Sequence, residues 1–288
     1  MPKNWFISGS SSGIGKAVLE YALNKGDSVV AALRTPSVLD ELKAKYPKQL
    51  TVVKIDVTDQ ALVDAAFEVA KSTFDHIDIV FNNSGVALIG EIESTTEELA
   101  RKIMDINFWG PDRINRAAVK VFRDFNKPVG GRLVTTTSMC GIKADPATGY
   151  YSASKFALEG ATQALNAELD PEWNIKITIV EPGLFYTPGI NKNITITPDH
   201  PSYSVKPELP SSVFRSAVKI AGAGQLPCND PVKSAPKIYE IALIDENPPL
   251  RFPLGKDCHS MLKYQIDSLK KDGERFEHLS EGILTTDP

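Results

Sequence analysis

Cysteine is scarce. Cys140, Cys228 and Cys258 stand apart in 288 residues, with no Cys-x-x-Cys pair and no metal-type spacing to the four histidines. That excludes a disulfide framework and leaves no metal to expect. Long apolar runs are missing as well, since no stretch approaches the ~18 apolar residues of a membrane helix. Positive charge is not in excess: 32 Lys and Arg face 36 Asp and Glu, a formal net charge of -4. The chain therefore lacks the basic footprint of a nucleic-acid binder. Met1 to Ile7 show no charged segment, apolar segment and cleavage site of a secretory leader. The expectation is a reduced, soluble, cytoplasmic protein with neither nucleic acid nor membrane among its partners.

What is present reads as an ordinary globular enzyme, 42% hydrophobic and 24% charged. Short β-branched or aromatic runs alternate with helical patterns, the signature of βαβ units and a parallel sheet. Strands are expected at Asn4 to Ser8, Ser28 to Leu33, Thr51 to Ile55, Asp78 to Phe81, Arg132 to Thr136 and Lys176 to Val180. A first helix should run from about Ile14 to Lys25 and stop at Gly26, where a left-handed cap belongs. Others should start near Ser37, Asp59, Thr95, Pro111 and Gly149. After Pro182 the prolines at 188, 198, 201, 207 and 210 break up a polar stretch, and a loop of that length is usually functional. Helical pattern returns at Ser211 to Ala221, at Pro231 to Ile244 and, after a short strand at Leu250 to Phe252, from about His259 to Leu279. No repeat or linker divides the chain, so residues 1–288 are read as one domain.

After the first strand comes Ser8-Gly9-Ser10-Ser11-Ser12-Gly13-Ile14-Gly15, then a helix. Glycines let backbone N–H groups approach a pyrophosphate, and a helix N-terminus adds partial positive charge. The alternative is a plain Gly/Ser turn, which the flanking strand and helix disfavour. Folds of this type place an acid at the end of the second strand for a ribose 2'-hydroxyl, or a basic group for a 2'-phosphate. Here Leu33-Arg34 stands there, favouring NADP over NAD, unless Arg34 is only a solvated loop residue.

Tyr151-Ser152-Ala153-Ser154-Lys155 puts a phenol and an ammonium on one helix face. A nearby cation favours phenolate and would bring Tyr into range as a general acid/base. An exposed surface pair is the alternative. Ser138 follows the strand Arg132 to Thr136, in a loop outside the carboxyl end of the sheet, where open α/β folds bind ligands. Asn107 could equally be a buried helix-bending amide. Asn82-Asn83-Ser84-Gly85 could be a polar turn, and Pro182-Gly183 an ordinary one.

The order of these pieces resembles the short-chain dehydrogenase/reductase family, most strongly from Lys3 to Thr187. The matching pieces are the Gly-rich loop, Asp56-Val57, Asn82-Asn83-Ser84-Gly85, Asn107, Ser138, Tyr151-x-x-x-Lys155 and Pro182-Gly183. The segment Pro248 to Gly255 also looks like a hydroxysteroid-dehydrogenase-like branch. The resemblance implies an α/β Rossmann-type doubly wound parallel sheet, with a substrate loop at about 184–227 and a C-terminal helical extension at about 255–288. It implies Tyr151 as proton donor and Lys155 as the group that lowers its pKa and binds the nicotinamide ribose. Ser138 would polarise the carbonyl, and Asn107 would hold a relay water. Gly9, Ser11, Gly13, Ile14, Gly15, Arg34, Asp56, Val57, Asn83 and Gly85 would contact the cofactor, with Pro182, Gly183 and Thr187 near the nicotinamide. Ser8 replaces the usual Thr and Ser84 the usual Ala; neither should change the chemistry.

The expected activity is NADPH-dependent hydride transfer to a carbonyl of a medium-sized hydrophobic substrate, with Phe185, Tyr186, Tyr203 and Phe214 as candidate pocket residues. Its competitor is an NADP(H)-binding scaffold serving as sensor or cyclisation catalyst, since fold never fixes reaction. A sugar-nucleotide epimerase or dehydratase ranks last. A homodimer through the helices near Thr95 to Phe125 is the expected assembly.

Overall fold

In strand β1 (Asn4–Ser8), Trp5 and Ile7 enter one apolar core while Phe6 enters another on the opposite face, and all three are fully buried. A strand buried on both faces belongs inside a parallel sheet covered by helices on both sides. That is its place. The computed structural model describes residues 1–185 and 194–283. Its main sheet has seven parallel strands in the order β3-β2-β1-β4-β6-β7-β9. The others are β2 (Ser28–Leu33), β3 (Leu50–Lys54), β4 (Ile79–Asn82), β6 (Gly131–Thr136), β7 (Ile175–Pro182) and β9 (Arg251–Leu254). The order reverses between β1 and β4, the topological switch point at which such sheets open a ligand crevice. This is the single-domain, doubly wound α/β fold that the sequence led us to expect.

One face carries α1 (Gly13–Asn24), which packs on the helix Pro231–Ala242; Trp5 stacks on Tyr239 of that helix, 5.4 Å between ring centres. Gly26, at φ +90°, closes α1 as expected. The other face carries α3 (Gln60–Thr73), the helix Gly110–Lys120 and α6 (Gly149–Glu168).

Four features depart from expectation. The helices placed near Thr95 and Pro111 are one continuous rod from Glu97 to Phe125: α4 (Glu97–Met104) passes through a π-turn at Asp105–Trp109 into α5 (Gly110–Lys120), and a second π-turn follows at Val121–Phe125. Pro111, which has no N–H to donate, is tolerated at the junction where the hydrogen-bond spacing changes. The last strand is Arg251–Leu254, and Pro253 fits it because β9 is an edge. A small second sheet, in which β5 (Ala87–Ile89) pairs with β8 (Ile194–Ile196), was not expected at all. The tail helix starts at Lys256, ahead of the expected His259, and runs to Phe276. Among the described residues, no helix is long and apolar enough to cross a membrane.

Candidate active site

The Gly-rich loop turns sharply from β1 into α1. Gly9 has φ +66° and Gly13 φ +57°, a region that L side chains avoid. At Gly15 a Cβ would lie 2.3 Å from the Gly9 carbonyl oxygen, so no larger residue fits while the loop keeps this form. Ser8 does the anchoring: its Oγ accepts from the N–H groups of Asn83 (3.0 Å) and Ser84 (3.2 Å) and donates to Asn82 Oδ1. Its hydroxyl therefore serves where Thr is usual. Asn83 Nδ2 donates to the Gly9 carbonyl at 3.3 Å, tying the two turns at the switch point together. Beneath them, buried Asn82 donates to Pro111 O and Asn115 Oδ1, both at 2.8 Å, and Asn115 in turn meets Thr135 and Thr162. No sequence pattern pointed to Asn115, Thr135 or Thr162, which lie on three separate elements.

At the ends of β2 and β3 stand Arg34 and Asp56. Arg34 is exposed and, among the described residues, forms no salt bridge. Asp56 accepts from the Thr58 hydroxyl (2.7 Å) and N–H (3.0 Å), bonds that hold its carboxyl below the usual range, with a smaller pull from Arg34. The Val57 side chain fills the space a Cβ on Gly110 would need.

Ser138 caps the turn Met139–Gly141 after β6, its Oγ accepting from the Cys140 N–H at 3.1 Å. Tyr151 and Lys155 rise from the first turns of α6; Lys155 is buried, with Nζ 5.9 Å from the Tyr151 ring centre. The Ser138 hydroxyl bonds to the phenol and favours its ionised form, but burial outweighs this and, with the Cys140 thiol, pushes the Tyr151 pKa well above the usual range. Lys155 is not among the groups that shift this phenol. Burial also lowers Lys155 to about 8, against the opposing pull of Glu159 and then Cys140.

Asn107 is fully buried at the first π-turn. Its Oδ1 accepts from Val86 N–H (2.9 Å), and its Nδ2 donates to Val86 O (2.8 Å) and Ser154 Oγ (3.2 Å). π-turns of this kind occur often at functional sites. At Gly85 a Cβ would come 3.2 Å from Lys155 Nζ and 3.3 Å from Asn107 Oδ1. Glycine keeps clear a space into which both polar groups reach, and a cofactor's ribose hydroxyls fit such a cradle.

Pro182 ends β7, and a Cβ on Gly183 would strike Asp257 Oδ1 at 2.2 Å. Asp257 accepts from Leu184 N–H (2.6 Å) and Asn229 Nδ2 (2.9 Å), pinning the chain just past Pro-Gly. Sequence reasoning missed both residues because the contact spans 73 positions. Thr187 and Tyr186 lie outside the described residues. Phe185 is part of the core under α1 and is corrected from pocket wall to packing residue. Beyond it, buried Arg215 grips Glu91 through two bonds, at 2.8 and 2.6 Å, and also donates to Thr197 O and Oγ1. This latch joins the helix Pro210–Gly222 and the end of β8 to the turn after β5. A separate groove of about 720 Å³ adjoins Gly13 and Lys16 but does not include Ser138, Tyr151 or Lys155.

A doubly wound sheet with a Gly-rich turn at its switch point and a Ser-Tyr-Lys cleft at the same edge defines a dinucleotide-type oxidoreductase architecture. Residues 3–197 match the short chain dehydrogenase family, and the chain belongs to it. It is 36% identical over 281 residues to an oxidoreductase of Schizosaccharomyces pombe, covering 98% of this chain and 91% of that one. An oxidoreductase of Penicillium decumbens is 33% identical over 283 residues, with 96% and 91% covered. A 3-ketodihydrosphingosine reductase of Bacteroides thetaiotaomicron is 31% identical over 256 residues, 88% of each chain. Among solved structures, a short-chain dehydrogenase from Streptomyces avermitilis superposes with TM-score 0.87 at 30% identity over 99% of both chains. Two more distant structures share the fold. One, from Burkholderia phymatum, holds NAD (TM-score 0.74, 20% identity, 100% and 97% covered), and one from Burkholderia cenocepacia holds NADP (0.71, 21%, 95% and 97%).

Proposed function

We propose that this protein is an NADPH-dependent oxidoreductase that reduces a ketone or aldehyde on a medium-sized hydrophobic molecule, or oxidises the matching secondary alcohol. The convergence of Ser138, Tyr151 and Lys155 beside the Gly-rich loop carries this reading. NADPH, when bound, supplies the hydride. Gly9, Ser11, Gly13, Ile14 and Gly15 hold the pyrophosphate at the N-terminus of α1. Arg34 takes the 2'-phosphate and Asp56 and Val57 border the adenine, while Asn83, Gly85, Pro182 and Gly183 frame the nicotinamide end. Ser138 donates to the substrate oxygen, and Tyr151, held protonated by burial, delivers the proton that this oxygen needs. Lys155 keeps positive charge beside the phenol and binds the ribose. Asn107 fixes the Val86 backbone and faces the Gly85 cradle.

Two observations support NADP over NAD: an exposed guanidinium at the end of β2, and no acid beside it in Leu33-Arg34. The Bacteroides relative, by its name a ketone reductase, supports the substrate class. Residues 184–227 serve as the substrate loop over a single domain, and the rod Glu97–Phe125, with Trp109 47% exposed, serves as the homodimer face. The test is titration of purified protein with NADPH and with NADH, followed by nicotinamide absorbance against a panel of hydrophobic ketones. Tight NADPH binding with turnover supports the reading. Tight binding without turnover on any ketone replaces it with the non-redox scaffold.

A further inference from the structure

Beneath the cleft lies a second group of charged side chains that the chemistry above does not use. Glu159 follows Lys155 by one helical turn on α6, so both leave the helix on the same face. Their stems flank one point: a Cβ on Gly141 would lie 3.0 Å from Glu159 Cγ and 3.4 Å from Lys155 Cβ. Gly141 ends the turn that Ser138 caps. Glu159 is 2% exposed, and a different partner stands at each oxygen. Oε1 accepts from the hydroxyl of Thr137, the residue before Ser138, and Oε2 lies 2.7 Å from Arg251 Nη1 on β9. The same guanidinium nitrogen also pairs with fully buried Glu181, next to Pro182 on β7.

Charge counting then points upward to the cleft. Two buried carboxylates share one guanidinium, and buried ions are stable only when paired and hydrogen-bonded. The other cation acting on Glu159 is Lys155. Lys155 makes no salt bridge among the described residues, so its ammonium remains available to the Gly85 cradle while still feeling the carboxylate below it.

We propose that Glu159 is a positioning residue for Lys155: a carboxylate locked by Thr137 and Arg251 that keeps the lysine ammonium charged and aimed into the cleft at neutral pH. Burial alone drives Lys155 towards its neutral form, and Glu159 is the largest influence opposing it, ahead of the Cys140 thiol on the turn after β6. The groups around the array are Lys155 and Glu159 on α6, Cys140 on that turn, Glu181 on β7, Arg251 on β9 and Cys258 on the tail helix, whose thiol faces Glu181. Glu181 holds its proton to about 7, because burial and the neighbouring Glu159 both penalise its charge. Burial raises Glu159 as well, but the Thr137 hydroxyl, Arg251 and Lys155 all favour its charged form, and Glu159 is the member of the pair placed one helical turn from Lys155.

The idea rests on the reductase reading only where turnover is used, so its first readout is independent of activity. The protein labelled with carbon-13 lysine is titrated without cofactor, following the Lys155 ε-carbon resonance, which is assigned by its loss in Lys155→Met. In Glu159→Gln the Lys155 midpoint should fall by about one pH unit, a tenfold loss of proton affinity. In Glu181→Gln it should stay where it is. Thr137→Val, nearly isosteric, removes one donor from the ionised Glu159 and should lower the midpoint by less; it decides the matter if Glu159→Gln fails to fold. The alkaline limb of kcat/KM should move in step with each midpoint. A folded Glu159→Gln with lower Tm but an unmoved Lys155 midpoint overturns the proposal and leaves Glu159 a structural staple. A wild-type protein that turns over no ketone sinks the reductase reading while the titration still decides the role of Glu159.

Discussion

At the scale of single residues, the cleft separates groups that move protons from groups that only hold shape. Tyr151→Phe deletes the proton donor and leaves its ring, so kcat should fall by ~10²–10⁴-fold with NADPH affinity nearly unchanged. Equal loss of affinity and turnover, read by fluorescence titration beside steady-state rates, would count against that role. Because Lys155 ionises near 8 and the Tyr151 phenol well above its usual range, reduction should fade as pH rises through about 8, when the lysine discharges before the phenol does. Gly15→Ala tests the loop: its Cβ would meet the Gly9 carbonyl at 2.3 Å, so NADPH should bind at least ~10-fold more weakly. An unchanged dissociation constant would show that the loop relaxes freely.

Elements differ in how plainly the sequence announces them. β1 and β2 begin and end where the apolar runs do, since a strand buried on both faces needs an unbroken apolar run. Gly9, Gly13, Ser138, Tyr151 and Lys155 were readable because each sits at a fixed spacing within one βα unit. β5 and β8 were not: three residues each, they pair across more than a hundred positions, and no periodicity survives at that length. Asp257, Asn229 and Arg251 were hidden for the same reason, as partners that only the closed chain brings together. The Arg215–Glu91 latch belongs to this group and governs its own element. Arg215→Met strips Glu91 of its buried counter-charge, which typically costs ~3–5 kcal/mol locally. Hydrogen exchange should then quicken across 194–222 while the amides of the central sheet stay protected. Arg215 holds the Glu91 pKa at about 2, below its ordinary 4.5, so the latch is whole above that ordinary value. It should loosen only as pH falls towards 2.

For the molecule as a whole, Glu181 has the opposite sign. Its pKa is raised from 4.5 to about 7 in the folded protein, so its contribution to stability is complete below 4.5 and lost as pH rises through 7. Glu181→Gln should flatten the dependence of Tm on pH across that window. A thermal-shift series with the wild-type slope retained would assign the slope to other groups.

Arg251 begins the edge strand β9 of a sheet whose central strand is β4. A nascent chain emerging from the ribosome presents Glu159 and Glu181 long before residue 251 is made, and until then neither has its guanidinium. A buried carboxyl pair without its guanidinium should destabilise the half-built sheet. A chain stopped short of β9 should therefore be cut by proteases faster than one that carries Arg251.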